Sequence, residues 1–359
     1  MSTTGGPGAA FAAGNFSNRC HAMKKTTVFW LLAAALATGG AAACKKSHSP
    51  APAGSSGPEW TPGWYVYFAG TDSGGQAVYW KNGQRTLLAP AGVAQGIAVS
   101  GSGVYVGGAA YKDIHSKVVT LAALWRDGME QDLSDTGIGW AYAPAVRGTD
   151  VYVPGYISRP APQNYAAVYW ENGQLVVLDS TIRGQATGIA VNGSDVYVIG
   201  GVWGAYDTSV VWKNGERLAG AATAFTLAYG QIVVSGTNIY VVGDQGYFEN
   251  SVNQFTALQN AFSATSIFLN GQDVYVSGAR QDSVGNLWAV YWKNGAMDTL
   301  ANYPGTSSSV ASGVVVAGSD VYVAGVAVVN GFSWGVFWKN GAESALSRDG
   351  GIYGMALGK

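Results

Sequence analysis

Few residues in this chain of 359 could do acid, base or nucleophilic chemistry: it holds three histidines and two cysteines. Beyond residue 60 only His115 remains of these two types. A Ser-His-Asp arrangement would have to use that one imidazole, and a histidine-based metal site lacks ligands. His115 lies in a polar stretch, Tyr111-Lys112-Asp113-Ile114-His115-Ser116-Lys117, and reads as solvated. Asp113, Asp207 and Asp282 fall in non-repeating segments. Two such carboxylates about 5 to 5.5 Å apart, or further, would suit hydrolysis of a glycosidic bond with retention or inversion. Arg159, Arg183 and Arg280 are candidates to converge on an anion. The aromatics Trp140, Tyr156, Tyr165, Trp203, Tyr206, Trp288 and Trp334 also fall outside any repeat, and Trp, Tyr and Arg are the usual anchors of binding. No catalytic residue, metal or cofactor is assigned.

These residues are interruptions in a strongly repeating background. A phrase of the form Val-Tyr-Val-x-Gly recurs at 66–70, 104–108, 151–155, 196–200, 239–243, 274–278 and 321–325, with spacings averaging about 43 residues, the length of one propeller blade. Each unit carries four strand signals. The third and fourth are joined by a two-residue turn, Asn82-Gly83, Asp127-Gly128, Asn172-Gly173, Asn214-Gly215, Asn294-Gly295 or Asn340-Gly341, whose residues tolerate the positive φ that a type I′ hairpin requires. The fifth unit departs, with Phe248 for the recurring Trp and Asn250-Ser251 for the turn.

The strands are apolar on both faces, which suits a blade sandwiched between neighbours. The chain opens on a second-strand phrase, Val66-Tyr67-Phe68, and ends on a first-strand phrase, Gly351 to Leu357. The expectation is therefore an all-β, seven-bladed β-propeller of four-stranded antiparallel blades, closed by pairing of the C-terminal strand with the N-terminal blade. Trp80, Trp125, Trp170, Trp212, Trp292 and Trp338 recur at one position and read as packing between blades. Asp150, Asp195, Asp273 and Asp320, with Asn238, are expected to brace turns through side-chain to backbone bonds. Turns between first and second, and third and fourth, strands lie on one face of such a ring and are short. The second-to-third connections, Ala109–Leu121, Tyr156–Ala166, Gly201–Thr208, Ala279–Trp288 and Val326–Trp334, lie on the other and are expected to be long, individual loops.

Residues 23–43 have a basic start at Lys24 and Lys25, an apolar core and small residues before Cys44, which is the pattern of an export signal. Residues 1–22 then read as an over-extended start, and 44–59, rich in Pro, Ser and Gly, as a tether ahead of a propeller spanning 60–359. Ala41-Ala42-Ala43-Cys44 resembles the lipobox of bacterial lipoproteins, departing from it at Ala41, where Leu is usual. That resemblance implies lipidation of Cys44; a soluble secreted chain with a free Cys44 is the alternative. The repeats, with phrases such as Asp320-Val321-Tyr322-Val323-Ala324-Gly325 and Tyr291-Trp292-Lys293-Asn294-Gly295, resemble the repeat propellers of bacterial exported lipoproteins. The resemblance implies a fold and a compartment, the bacterial cell envelope, and no activity; Lys45, rather than an Asp, after Cys44 fits delivery to the outer membrane by analogy with bacterial sorting.

Glycine is abundant at 52 residues and charge sparse at 11%, against about 7% and 25% in ordinary domains. Disorder and long helices are excluded on that basis. Of the 20 basic residues, Arg19, Lys24 and Lys25 precede Cys44, which leaves 17 against 21 acidic, so nucleic-acid binding has no electrostatic footprint. The reading is a monomeric, non-enzymatic binding protein, anchored to a membrane by its lipid, that takes a protein or glycan ligand on the variable face. Trp140, Tyr156, Arg159, Trp203, Tyr206, Arg280, Trp288 and Trp334 are the candidate contacts. A polysaccharide hydrolase or lyase and a purely structural envelope protein are the alternatives.

Overall fold

A computed structural model describes residues 59–359 except 136, 160–164, 204–206, 219–229 and 251–253. The export signal, Cys44 and the tether up to residue 58 lie outside the described residues, as does Tyr206. The described chain is all-β and forms seven antiparallel blades, numbered here in chain order. Blade 4 shows the pattern, running Arg183–Asn192, Asp195–Trp203, Asp207–Lys213 and Glu216–Arg217 from the inside outwards. In blade 3 the innermost strand is split into Gly139–Ala141 and Ala145–Arg147, both paired with Asp150–Ser158. Blade 1 takes its innermost strand, Gly351–Gly358, from the far end of the chain, in register from Tyr65↔Gly358 to Thr71↔Gly351. The ring is closed by that pairing, which removes two open sheet edges.

The recurring tryptophans are all 2% exposed or less. They seal junctions between blades: Trp80 of blade 1 shares a cluster with Val315, Tyr322 and Phe337 of blade 7, and Trp170 of blade 3 one with Tyr105 and Leu124 of blade 2. An aromatic side chain of this size removes about 150–250 Å² from water, so each junction owes several kcal/mol to one ring. Blade 5 forms its outer hairpin with Phe248 in the Trp position, packed on Phe255 at 4.8 Å.

The turn asparagines do more than accept an unusual backbone angle. Asn82, Asp127, Asn172, Asn214, Asn250, Asn294 and Asn340 have φ between 45° and 59°. Each side-chain Oδ1 also accepts the N–H at the head of its second strand, Val66, Val104, Val151, Val196, Ile239, Val274 or Val321, at 2.8–2.9 Å. The expected aspartate-to-backbone braces are corrected by this arrangement. Asp150, Asp195, Asp273 and Asp320 instead accept from the Nδ2 of the turn asparagine at 2.8–3.1 Å, and Asn238 accepts from Asn250 in the same way. An amide can donate to the head residue while still accepting from the backbone, whereas a carboxylate can only accept. Where the turn carries Asp127, the head residue is accordingly Gly103, without a carboxylate to repel it.

A second device links innermost strands. Thr187, Thr265 and Ser312 occupy the same bulge in blades 4, 6 and 7. Their hydroxyls donate to the carbonyls of Gly230, Ala311 and Ile352 in the following blade, at 3.1, 2.8 and 2.6 Å. The residue after the bulge must be small: a Cβ at Gly96 would overlap Ala143 of blade 3.

The expected long loops are largely strand. The two middle strands of blade 2 run on to Ile114↔Lys117 and close on His115 and Ser116, with φ of 52° and 62°. Those of blade 7 run to Val329↔Phe332 and close on Asn330-Gly331, an Asn-Gly hairpin turn like the others. In blade 6, Gln281↔Leu287 bounds the short loop Asp282–Asn286.

Candidate functional site

The extended hairpins carry the non-repeating aromatics to the rim of the variable face, and two adjacent blades bring several of them together. Trp140 stands opposite Tyr156 in blade 3. Tyr156 meets Tyr165 edge to face at 5.1 Å. Across the junction, Arg183 of blade 4 pairs in register with Trp203, and its guanidinium carbon lies 5.2 Å from the Tyr165 ring and 5.5 Å from the Trp203 ring. Both distances are within the range of cation–π attraction. Arg183 is exposed, and among the described residues no carboxylate lies within ion-pair distance of it. The rings therefore fix a planar cation that no carboxylate neutralises among the described residues, and its donors suit an anion or a row of acceptors. Arg159 follows directly on Ser158, which pairs with Tyr165, and is half-buried at the same rim.

The other candidates stand elsewhere. Arg280 and Trp288 are opposite each other in blade 6, so the three arginines are not gathered at one point. The indole Nε1 of Trp288 donates to Asp282 at 2.8 Å. Asp282 also accepts from the N–H groups of Val284 and Asn286, and these bonds, the Trp288 bond foremost, hold its carboxyl below the usual range. In blade 7, Trp334 lies 5.9 Å from the guanidinium of Arg348, which also covers Phe332 at 4.3 Å. Asp113, Asp207 and Asp282, the expected acid and base candidates, belong to blades 2, 4 and 6. Asp282 is occupied in bracing its loop.

No family model matches the chain, and no curated protein does. Similar solved structures exist. One is a Mycobacterium tuberculosis puromycin-hydrolyzing peptidase, with a TM-score of 0.48 and 12% identity, covering 80% of this chain and 52% of that one. Another is the Pyrococcus horikoshii acylaminoacyl peptidase, with 0.43 and 9%, covering 71% and 45%. A third is a Trypanosoma rangeli sialidase mutant displaying trans-sialidase activity, with 0.43 and 10%, covering 68% and 53%. The chain thus spans about half the length of each. At these identities no activity carries over to this chain.

The opposite face holds features that the sequence reading passed over. A cavity of about 380 Å³ opens at the base of blade 1 between Trp60, Pro62, Trp64, Tyr65, Asn82 and Lys359. Trp60 stacks on Phe337 and Tyr322 of blade 7 at 5.2 and 5.9 Å. Thr61 Oγ1 donates to Asp320 at 2.6 Å. That bond, with those from Asn340 and Lys339, takes the Asp320 carboxyl down to about 2. On the outer strand of blade 7, Ala342–Arg348, the Glu343 carboxylate receives the Tyr303 N–H at 2.6 Å through Oε2, while Oε1 is buried without a partner among the described residues. Desolvation raises that carboxyl to about 7. The signal for the cavity was present in the repeat: Tyr65 stands where four other blades have aspartate.

Proposed function

We propose that this chain is a non-enzymatic binding protein of the bacterial cell envelope, holding a protein or glycan ligand at the rim of blades 3 and 4. Arg183, pinned between Tyr165 and Trp203 and unpaired among the described residues, is the observation that carries this reading. A side chain already ordered by its neighbours loses little freedom on binding, and clustered Tyr, Trp and Arg are typical anchors. The protein is tethered to a bilayer through a lipid on Cys44.

A glycan array probed with the full chain, followed by titration of the best ligand, tests the binding. Loss of a buried aromatic anchor costs about 2 kcal/mol or more, so Trp203→Ala or Tyr165→Ala should weaken the ligand roughly 30-fold. Lys293→Ala, on the opposite face, should leave affinity unchanged. Silent rim variants beside a crippling Lys293→Ala would move the site to the other face. The anchor is tested separately: Cys44→Ala should shift the protein from the detergent phase to the aqueous phase.

A further inference from the structure

The repeated-turn face carries a cation at nearly every blade, and its surroundings differ in one telling respect. Lys213, Lys293 and Lys339 lie over Tyr197, Tyr275 and Tyr322 at 5.3–5.6 Å. Each is also neutralised by the aspartate at the head of its second strand, Asp195, Asp273 or Asp320, at 2.8–2.9 Å. In blade 3, Arg147 pairs with Asp150 at 3.2 Å. Blade 1 has the cation but not the carboxylate, because Tyr65 replaces the aspartate. Lys81 lies 3.8 Å from the Tyr65 ring and 5.6 Å from Tyr67, with no acid in ion-pair range among the described residues. Arg126 of blade 2 is in the same state, over Tyr105 with Gly103 at the head position. Lys359 adds a third such cation, 4.4 Å from the Trp64 ring. Of these, Lys359, Trp64 and Tyr65 line the cavity of about 380 Å³, Lys81 lies over Tyr65 beside it, and Tyr65 is 42% exposed. Glu59, next to Trp60 in the chain, is exposed, and Asp320 is already held by Thr61, Asn340 and Lys339.

We infer that the base of blade 1 seats the protein on a membrane surface, with Trp60, Trp64 and Tyr65 at headgroup depth and Lys81, Lys359 and Arg126 facing the phosphates of anionic lipids. Trp and Tyr favour that depth because one end of each ring system is apolar and the other polar, and cations near an anionic leaflet gain from its negative potential. Trp60 and Thr61, close behind the first described residue, line this cavity, so the tether proposed above joins the propeller on this face and not at the rim of blades 3 and 4; the inference rests on that reading for this point alone.

The test uses the full chain carrying Cys44→Ala, so that no lipid contributes, in sedimentation with vesicles containing phosphatidylglycerol and with vesicles of phosphatidylcholine alone. Binding to the anionic vesicles, falling as salt is raised, is expected. Tyr65→Asp, which restores the neutralised pattern of the other blades, and Lys359→Glu should each weaken it about fivefold or more, at the usual contribution of one basic residue. Lys293→Ala should have no effect. Melting temperatures matching the parent keep a folding defect from passing as lost binding. Equal binding to both vesicle types, or no loss with Tyr65→Asp and Lys359→Glu, overturns the proposal. So does a site saturated by soluble glycerol phosphate without vesicle binding. A Cys44 that proves unlipidated overturns the anchor and leaves this surface standing.

Discussion

Glu343 makes the stability of the ring depend on pH in the direction opposite to that of most carboxylates. Its folded carboxyl is raised from 4.5 to about 7 by burial, so between those values the folded state binds more protons than the unfolded chain. Stability is then complete below about 4.5 and is lost as pH rises through 7. At about 1.36 kcal/mol per pH unit the full shift is worth roughly 3 kcal/mol, and partial access of water to the side chain reduces this to about 2 kcal/mol. Glu343→Gln keeps an oxygen for the Tyr303 N–H and cannot ionise. Urea unfolding at pH 5, 7 and 9 should show the parent losing about 2 kcal/mol more than the variant between the ends of the series, with equal m-values. The variant should be the more stable of the two at pH 9. Parallel curves for parent and variant across this range would refute the buried-carboxyl argument.

Thr265→Val should cost about 1–3 kcal/mol in urea unfolding, because it leaves the Ser277 hydroxyl, 0% exposed, without its partner at 3.1 Å. Asn294→Asp should lower the melting temperature by placing a carboxylate against Asp273, more at pH 7 than at pH 4, and Asp273→Gly in the same chain should recover much of the loss, as Gly103 and Asp127 already do in blade 2. Deletion of 350–359 should abolish cooperative melting and yield oligomers by size exclusion, since it exposes the edge of Tyr65–Asp72; an unchanged monomer would contradict closure by strand pairing.

The ring was legible because its determinants are local and recur: Val-Tyr-Val-x-Gly phrases return in seven units, a two-residue Asn-Gly or Asp-Gly turn and a Trp in six of them, and both chain ends name their partner. What the repeat could not reveal was which polar atom meets which. The partners of Asp195 and Asp273 are asparagines 19 and 21 residues away, side chains whose meeting is set by strand register. Likewise the segment from Ala109 to Leu121 looked like a loop because Lys112, Asp113 and His115 are polar. Hairpin arms that project beyond the blade are solvated and need no apolar alternation, so polarity did not mark their end; Asn330-Gly331 did, and could have been read as a turn. The rim cluster needed the third dimension, since Tyr165 and Arg183 belong to different blades.

The hydroxyl links between innermost strands are written into one partner only. Thr187, Thr265 and Ser312 supply side chains, but Gly230, Ala311 and Ile352 answer with main-chain carbonyls, which any residue would provide. This link therefore survives any substitution at the accepting position that keeps the backbone in place, in contrast to the Trp80 and Trp170 junctions, which depend on side chains from both blades.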